Sequence, residues 1–318
     1  MTPALQILFS LKILFSVNTA YKDVVPTNGM IIKQNTTFVS GTYNLQDGVV
    51  IAENSITLDL NNATLLGADY QNVGITIKPY LHDITILNGN IHNYYYAIRA
   101  DNSSQITIIN NNISCNWIDP KSLNSSGPPP WLDINVIPSS FGDRTNLGGG
   151  LFMNGIDKAY IHNNTAQWQE NGLDLFNITN SVVYANNCSF NVGWGIHLWK
   201  SYGNNISYNT ANNCTRTGPY YQYTADTSGI LLNCECHDNY VGYNSFLYGG
   251  DGIFMSGFPR NSQNECCPSN NNHIEYNDAR YSPNNAIEST FAQGPCSYPY
   301  MLCSSVVVYI YCTCYVQL

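Results

Sequence analysis

Asp174 and His197 stand 23 residues apart, and each is the third residue of a glycine-opened unit of five, Gly172-Leu-Asp-Leu-Phe176 and Gly195-Ile-His-Leu-Trp199. If the two units stack as neighbouring strands, carboxylate and imidazole meet one strand spacing, about 4.8 Å, apart. A carboxylate that accepts from one ring nitrogen of a histidine orients the ring and raises its basicity, which is the arrangement of an acid/base pair. Trp194 and Trp199 flank the pair, Phe176 ends the neighbouring unit and Lys200 follows directly. Flat aromatic rings with polar edges suit sugar rings. The plain alternative is a solvated surface pair with no chemistry.

What must position these residues is a repeat. Glycine-opened units begin at Gly150, Gly172, Gly195, Gly229 and Gly252, and an alanine-opened one at Ala286, with separations of 22, 23, 34, 23 and 34. Two lengths imply a basic coil of about 22 residues and, at intervals, an inserted loop. The second and fourth positions of each unit are apolar except Ser289, so each is a strand with one buried face. A second strand follows, as in Ser181-Val-Val-Tyr184 and Asn205-Ile-Ser-Tyr208, and an asparagine closes the unit: Asn164, Asn187, Asn209, Asn244 and Asn277, with Asn90 and Asn112 before them. Asparagine tolerates turn dihedrals and can hydrogen-bond its equivalent one coil away. No part of the unit has helical periodicity, which leaves a single-stranded right-handed parallel β-helix with Leu173, Leu175, Ile196, Leu198, Ile230, Leu232, Ile253 and Met255 in one buried column. Positions one, three and five should then face outward. The glycines would floor a shallow open groove, and Asp174 and His197 would be exposed in it.

The run from about 46 to 292 resembles the pectin-lyase-like β-helix repeat proteins, including the group similar to the NosD copper-site protein. Asp59-Leu-Asn61, the Gly-Ile-x-Leu/Asn ladder, Trp194-Gly-Ile-His-Leu-Trp-Lys200, Gly249-Gly-Asp-Gly-Ile-Phe254 and Ser282-Pro-Asn-Asn-Ala-Ile-Glu288 carry the resemblance. It implies the fold. It does not select a reaction, because the superfamily hosts lyases, hydrolases, epimerases and non-catalytic adhesins.

Three functional classes remain open. A lyase or epimerase needs a cation for a uronate carboxylate, Lys200 or Arg216, and an acid/base group, His197 or a loop tyrosine such as Tyr221. A hydrolase needs two carboxylates, for which Asp174 with Asp226 or Asp251 are candidates. A non-catalytic glycan-binding or wall protein needs only the aromatic groove. Glu288, three coils or about 14 Å from His197, reads instead as a capping or Asn284-bonded carboxylate. Burial of His197 would shift the catalytic assignment to Asp226 and Asp251. Copper is disfavoured because His162, His197, His237 and His273 fall at different points of their coils, and composition implies no cofactor.

Residues 1–20 read as a secretory signal, with apolar runs about Ile7–Leu11 and Ile13–Val17 before Thr19-Ala20. The β-helix domain would span 21–294, and 295–318 form an atypical tail, a cap or a truncated or misread end. Ten Asn-x-Ser/Thr sequons and eleven cysteines agree with a secreted protein whose long loops are pinned by disulfides. A net charge of −9 excludes the basic face that nucleic acid requires and leaves a polysaccharide as the expected partner.

Overall fold

The computed structural model describes residues 23–117, 148–215, 227–256 and 269–290, with the backbone of short strands at 259–260, 265–266, 296–297, 306–309 and 316–317. The signal segment, Arg216, Tyr221 and Asp226 lie outside the described residues.

The chain winds as a right-handed parallel β-helix of three-sided coils. The first face stacks Val73–Ile77, Tyr96–Ile109, Gly149–Asp157, Asn171–Phe176, Trp194–Trp199, Ser228–Asn233, Asp251–Ser256 and Ile287–Thr290, all in parallel register. The second stacks Tyr160–His162, Val182–Tyr184, Asn205–Ser207, Tyr240–Gly242 and His273–Glu275. The third is narrower, a column of single bridges through Asn112, Thr165, Asn187, Thr210, Ser245 and Asp278. Among the described residues no helix is long and apolar enough to cross a membrane.

Alternation along each strand sends one column of apolar side chains inward from every face. Leu173, Leu175, Ile196, Leu198, Ile230, Leu232, Ile253 and Met255 are fully buried, as the repeat predicts. Ile161, Val183, Ile206, Val241 and Ile274 meet them from the second face, and Ile113, Ala166, Cys188, Ala211 and Phe246 from the third. The glycines do not floor an outer groove. At the corner where the third face turns into the first, their backbone presses on the opposite wall. A Cβ on Gly195 would lie 2.4 Å from Ala211 Cβ, and one on Gly229 would lie 2.6 Å from Phe246 Cδ1. Glycine is there because three faces must converge around a narrow core.

The corner between the second and third faces is held by a buried amide ladder through Asn111, Asn164, Asn186, Asn209, Asn244 and Asn277. Asn111 accepts at Oδ1 from the Gly89 N–H, and each later member accepts from the backbone N–H and the Nδ2 of its predecessor, as in Asn186 to Asn209 at 2.9 and 3.0 Å and Asn209 to Asn244 at 2.8 and 3.0 Å. Three members of the predicted set, Asn90, Asn112 and Asn187, are not in it: the ladder positions of those coils are Gly89, Asn111 and Asn186, and the three asparagines occupy the outward bridge column instead. Shorter ladders, Asn204–Asn239–Asn272 and Asn116–Gln169–Asn191, serve the other corners.

The cysteines depart from expectation. Cys234 is disulfide-bonded, but Cys115, Cys188, Cys214 and Cys236 are free thiols, the last three buried. They fill the core as small apolar side chains, a common role for buried cysteine. Burial pushes the Cys214 and Cys236 thiols up to about 12. The parallel ladder also continues past the expected domain end: Val306 pairs with Ile287, and Cys296 with Val316.

Two outcomes are expected. Asn209→Ala strands the buried Asn186 N–H without an acceptor, while Asn186 Nδ2 keeps Ile161 O and Tyr184 O; at about 1–3 kcal/mol for the unsatisfied group, the urea midpoint should fall by the equivalent of roughly 2 kcal/mol. Alkylation of native protein at pH 8, read by peptide mass spectrometry, should label Cys115 and spare Cys188, Cys214 and Cys236 until denaturant is added.

Candidate functional site

Outside the first face lies a second layer of side chains. Tyr95, Tyr96, Phe152, Phe176 and Trp199 form one cluster, and Trp194, Leu231 and Phe254 another, both separate from the cylinder core. Every position of Asn171–Phe176, Trp194–Trp199, Ser228–Asn233 and Asp251–Ser256 is buried. The insertions at 118–147 and 216–226 both return to the cylinder at the first residues of this face.

Asp174 and His197 are register partners, as predicted. They face outward, yet they are not exposed: Asp174 is 1% and His197 4% accessible. Direction follows from strand parity; accessibility depends on the outer layer, which strand parity does not encode. Asp174 Oδ1 lies 3.2 Å from His197 Nδ1. Its Oδ2 accepts from the Tyr96 hydroxyl at 2.8 Å, and Asn171 Nδ2 donates to both oxygens at 3.2 and 3.3 Å. Asn171 Oδ1 also accepts from the Trp194 N–H at 3.0 Å, tying the carboxylate's neighbour to the next coil.

Tyr96 belongs to a coil two turns below Asp174 and reaches it across Gly149. A Cβ on Gly149 would stand 3.3 Å from Tyr96 Cε1 and 2.4 Å from Asn171 O. Burial, then the charge of Asp174, with smaller contributions from Tyr95 and Glu170, holds the Tyr96 phenol well above its ordinary range. It therefore stays a donor to Asp174.

With Asp174 ionised, His197 Nδ1 carries the proton and Nε2 the lone pair. Among the described residues the buried Nε2 has no hydrogen-bond partner, and neither has Ser228 Oγ one coil further along. The ring packs 4.7 Å from Trp194, 5.1 Å from Phe176 and 6.4 Å from Trp199. The arrangement is a histidine fixed at one nitrogen and available at the other, in a low-dielectric aromatic shell.

Other predicted residues are not part of it. Lys200 turns away at the strand end, with φ 47°, and pairs with Glu235 Oε1 at 3.1 Å. Asp251 is buried three coils from the Asn171 row and accepts from the Asn285 N–H at 2.9 Å. Glu288 accepts from Asn285 Nδ2 at 2.8 Å. Trp194, Trp199 and Phe176 are present but buried. Sequence reasoning missed Tyr96, Asn171 and Arg99. Arg99 shares the Asp174 column two coils below, pairs with Asp101 at 2.7 Å and lies over the Phe152 ring.

A family model described as periplasmic copper-binding protein (NosD) matches residues 28–227, well over half of the chain. The chain belongs to that family. No curated protein matches it. Among solved structures, the Dettilon tailspike protein (gp208) is similar at 12% identity and a TM-score of 0.47, over 85% of this chain and 48% of that one. The chain thus spans about half the length of that tailspike.

The family's description names copper, and the residues present do not fit it. Among the described residues no three His, Cys, Asp or Glu side chains come together in a way that could hold a metal ion. His92 contacts Ser114 O, His162 packs between Tyr160 and Tyr184, His237 accepts from the Asn270 N–H, and His273 meets Glu275.

Tyr96→Phe removes a buried hydrogen bond to a charged group, a contribution of about 1.5–3 kcal/mol. The melting temperature should drop accordingly, and ultraviolet titration should show one fewer tyrosine resisting ionisation in the variant than in wild type, where burial also raises Tyr94 and Tyr240.

Proposed function

We propose that this protein is a carbohydrate-active β-helix protein whose first face carries a proton-transfer site, Asp174–His197, of lyase or epimerase type. One observation carries the reading: His197 is anchored at Nδ1 by a carboxylate that three other donor contacts orient, while its buried Nε2 has no partner among the described residues. Holding an imidazole in one tautomer with a lone pair directed outward is what a general base requires. The same observation keeps the assignment here although His197 is buried, since Asp251, the fallback carboxylate, is engaged by a backbone N–H. An enclosed site also strengthens each electrostatic interaction within it.

On a uronate, His197 Nε2 would take the proton from the carbon beside the carboxylate. In a lyase the electron pair so released forms the C=C bond as the C–O bond to the leaving sugar breaks, and the leaving oxygen takes up a proton. In an epimerase a proton returns to the same carbon from the other face. Arg99 stands in the Asp174 column and Lys200 does not; each is already paired, with Asp101 and Glu235, so a bound uronate would have to share the Arg99 guanidinium with Asp101. Paired-carboxylate hydrolysis is less well supported. Asp174 and Asp251 stand about three strand spacings, roughly 14 Å, apart along the axis, beyond the 6.5–9.5 Å or so that an inverting pair needs. The family's periplasmic description supports a site of action outside the cytoplasm, in keeping with the secretory reading of residues 1–20.

The observation that favours a second reading, a purely structural polar network, is the low accessibility of the pair. His197→Ala separates the two. As a base, His197 contributes about 10²–10⁴-fold, so the variant should lose turnover of polyuronates, followed by ultraviolet absorbance of unsaturated product and by NMR for epimerisation, and imidazole should restore part of it. Because the site is buried, melting should also shift, unlike at an exposed position. A wild-type protein without product on any acidic polysaccharide, or an equally active His197→Ala, would sink the catalytic reading and leave the network.

A further inference from the structure

The third face has no part in the Asp174–His197 site, and its two borders share an unusual backbone feature. Two residues before each bridge position, and three after it, the chain passes through left-handed φ. On the first border this falls on Asn110, Asn163 and Ala185 (φ 56°, 53° and 53°), then on Tyr208, Tyr243 and Tyr276 (φ 58°, 58° and 53°). On the second it falls on Cys115 and Asn213 (φ 59° and 57°) and on the rings of Trp168, Phe190, Tyr248 and Tyr281 (φ 60°, 62°, 57° and 63°), with Asn213 parting the two ring pairs. Asparagine accepts this conformation readily, and bulky side chains do not. The coils carrying Asn110 and Asn163 show that the corner geometry does not call for a ring. The fold bears a conformational cost at seven positions to place aromatics there.

Those rings do not pack into the core. Tyr208, Tyr243 and Tyr276 are 53%, 43% and 40% accessible, and the rings of the second border are similarly open. Tyr208, Tyr243 and Tyr276 stack in a file, with centroids 5.0 and 4.8 Å apart and planes within 6° and 7°. Trp168–Phe190 and Tyr248–Tyr281 stack likewise on the other side at 4.6 and 5.0 Å. Stacking fixes each ring edge-on, so the solvent meets two rails of ring edges, one of them lined with phenol hydroxyls. Between the rails the floor is Thr165, Gln167, Asn187, Thr210, Asn212 and Ser245, hydroxyls and amides without charge, with Leu247 the one apolar member and Ser189 buried beneath them. The charged pair at its end, Asp278 with Arg280 at 2.7 Å, neutralises itself. On a chain of net charge −9, this is an uncharged strip about five residues, or roughly 16 Å, across.

We propose that the third face is a second, separate carbohydrate-binding surface, and that its ligand is a neutral polysaccharide chain. The chemistry is complementary: sugar hydroxyls exchange hydrogen bonds with a hydroxyl and amide floor, apolar sugar edges meet pre-ordered aromatic rails, and the strip's cation, Arg280, is held by Asp278 and does not favour an acidic polymer. Rigid rings already locked by stacking lose little conformational freedom on binding.

The test is affinity electrophoresis of the full chain through gels containing neutral glucan, mannan, xylan or galactan, or polygalacturonate. Wild type should be retarded by at least one neutral polymer. The triple variant Tyr208→Gly, Tyr243→Gly, Tyr276→Gly keeps the left-handed corner at no steric cost and adds no glycosylation sequon. It should bind roughly tenfold more weakly, the loss expected of a hot-spot cluster, at an unchanged or raised melting temperature. Tyr243→Gly alone, which interrupts the file at its middle, should weaken binding several-fold without loss of stability. No retardation by any neutral polymer, unchanged retardation of the triple variant, or a fall in melting temperature that parallels the lost binding would each overturn the proposal. Asn187 also lies in a sequon on this face. Retardation seen only after enzymatic removal of the protein's own N-glycans would assign the strip to those glycans and overturn it as well. Loss of His197-dependent turnover leaves this result untouched, and the converse holds, so the two assignments fail separately.

Discussion

A coil that turns three corners in about 22 residues must bend its backbone where strand pairing lapses, and each bend exposes an N–H to a dry interior. An unsatisfied buried N–H costs on the order of 1–3 kcal/mol, and this molecule has such a bend on every turn. The asparagine ladder answers that constraint: each side-chain oxygen takes the N–H of the coil before it, and each side-chain amide is held by the oxygen of the coil after. Because one side chain bonds to the next copy of itself, the ladder also sets the vertical register of all three faces. Everything else, including which side chains become neighbours on the first face, depends on that register.

Register alone places Asp174 beside His197. It takes a further layer to make the pair an enclosed site. Tyr96 crosses the open space above Gly149 to reach the carboxylate, Asn171 braces it from within its own strand, and Trp194 and Phe176 close on the imidazole. The glycines serve two opposite purposes. Gly195 and Gly229 let two walls approach across the core, whereas Gly149 leaves room on the outside for a ring from another coil.

Much of this was legible in the sequence. The spacing of the glycine-opened units was enough to predict the parallel stack, its buried Leu and Ile column and the meeting of Asp174 with His197, because parity and period are local properties. Where two candidates stand side by side, as in Asn111-Asn112 and Asn186-Asn187, the pattern could not choose which turned inward; the corner dihedral decides, one residue earlier than the strand rhythm suggests. Tyr96 was invisible because it lies 78 residues before Asp174, beyond a coil lengthened by insertion. Accessibility was misjudged for a related reason: an outward side chain is exposed only if nothing else packs over it. The thiols were misread through composition, which records how many cysteines there are and not that Cys188 and Cys236 occupy core positions that isoleucine or alanine fill in other coils, while Cys214 stands where the corner ladder has Asn116, Gln169 and Asn191.

Tyr96, Asn171 with Asp174, and His197 come from three levels of the stack, the first two separated by the coil of Gly149 and a long insertion. A chain that folds from its first coil upward therefore holds the phenol in place first, then the carboxylate, and completes the imidazole's setting only when the coil bearing Trp194 docks. The cluster is an order-of-assembly record: a solenoid halted one turn early, or slipped by one coil, keeps its ladders and loses its dyad.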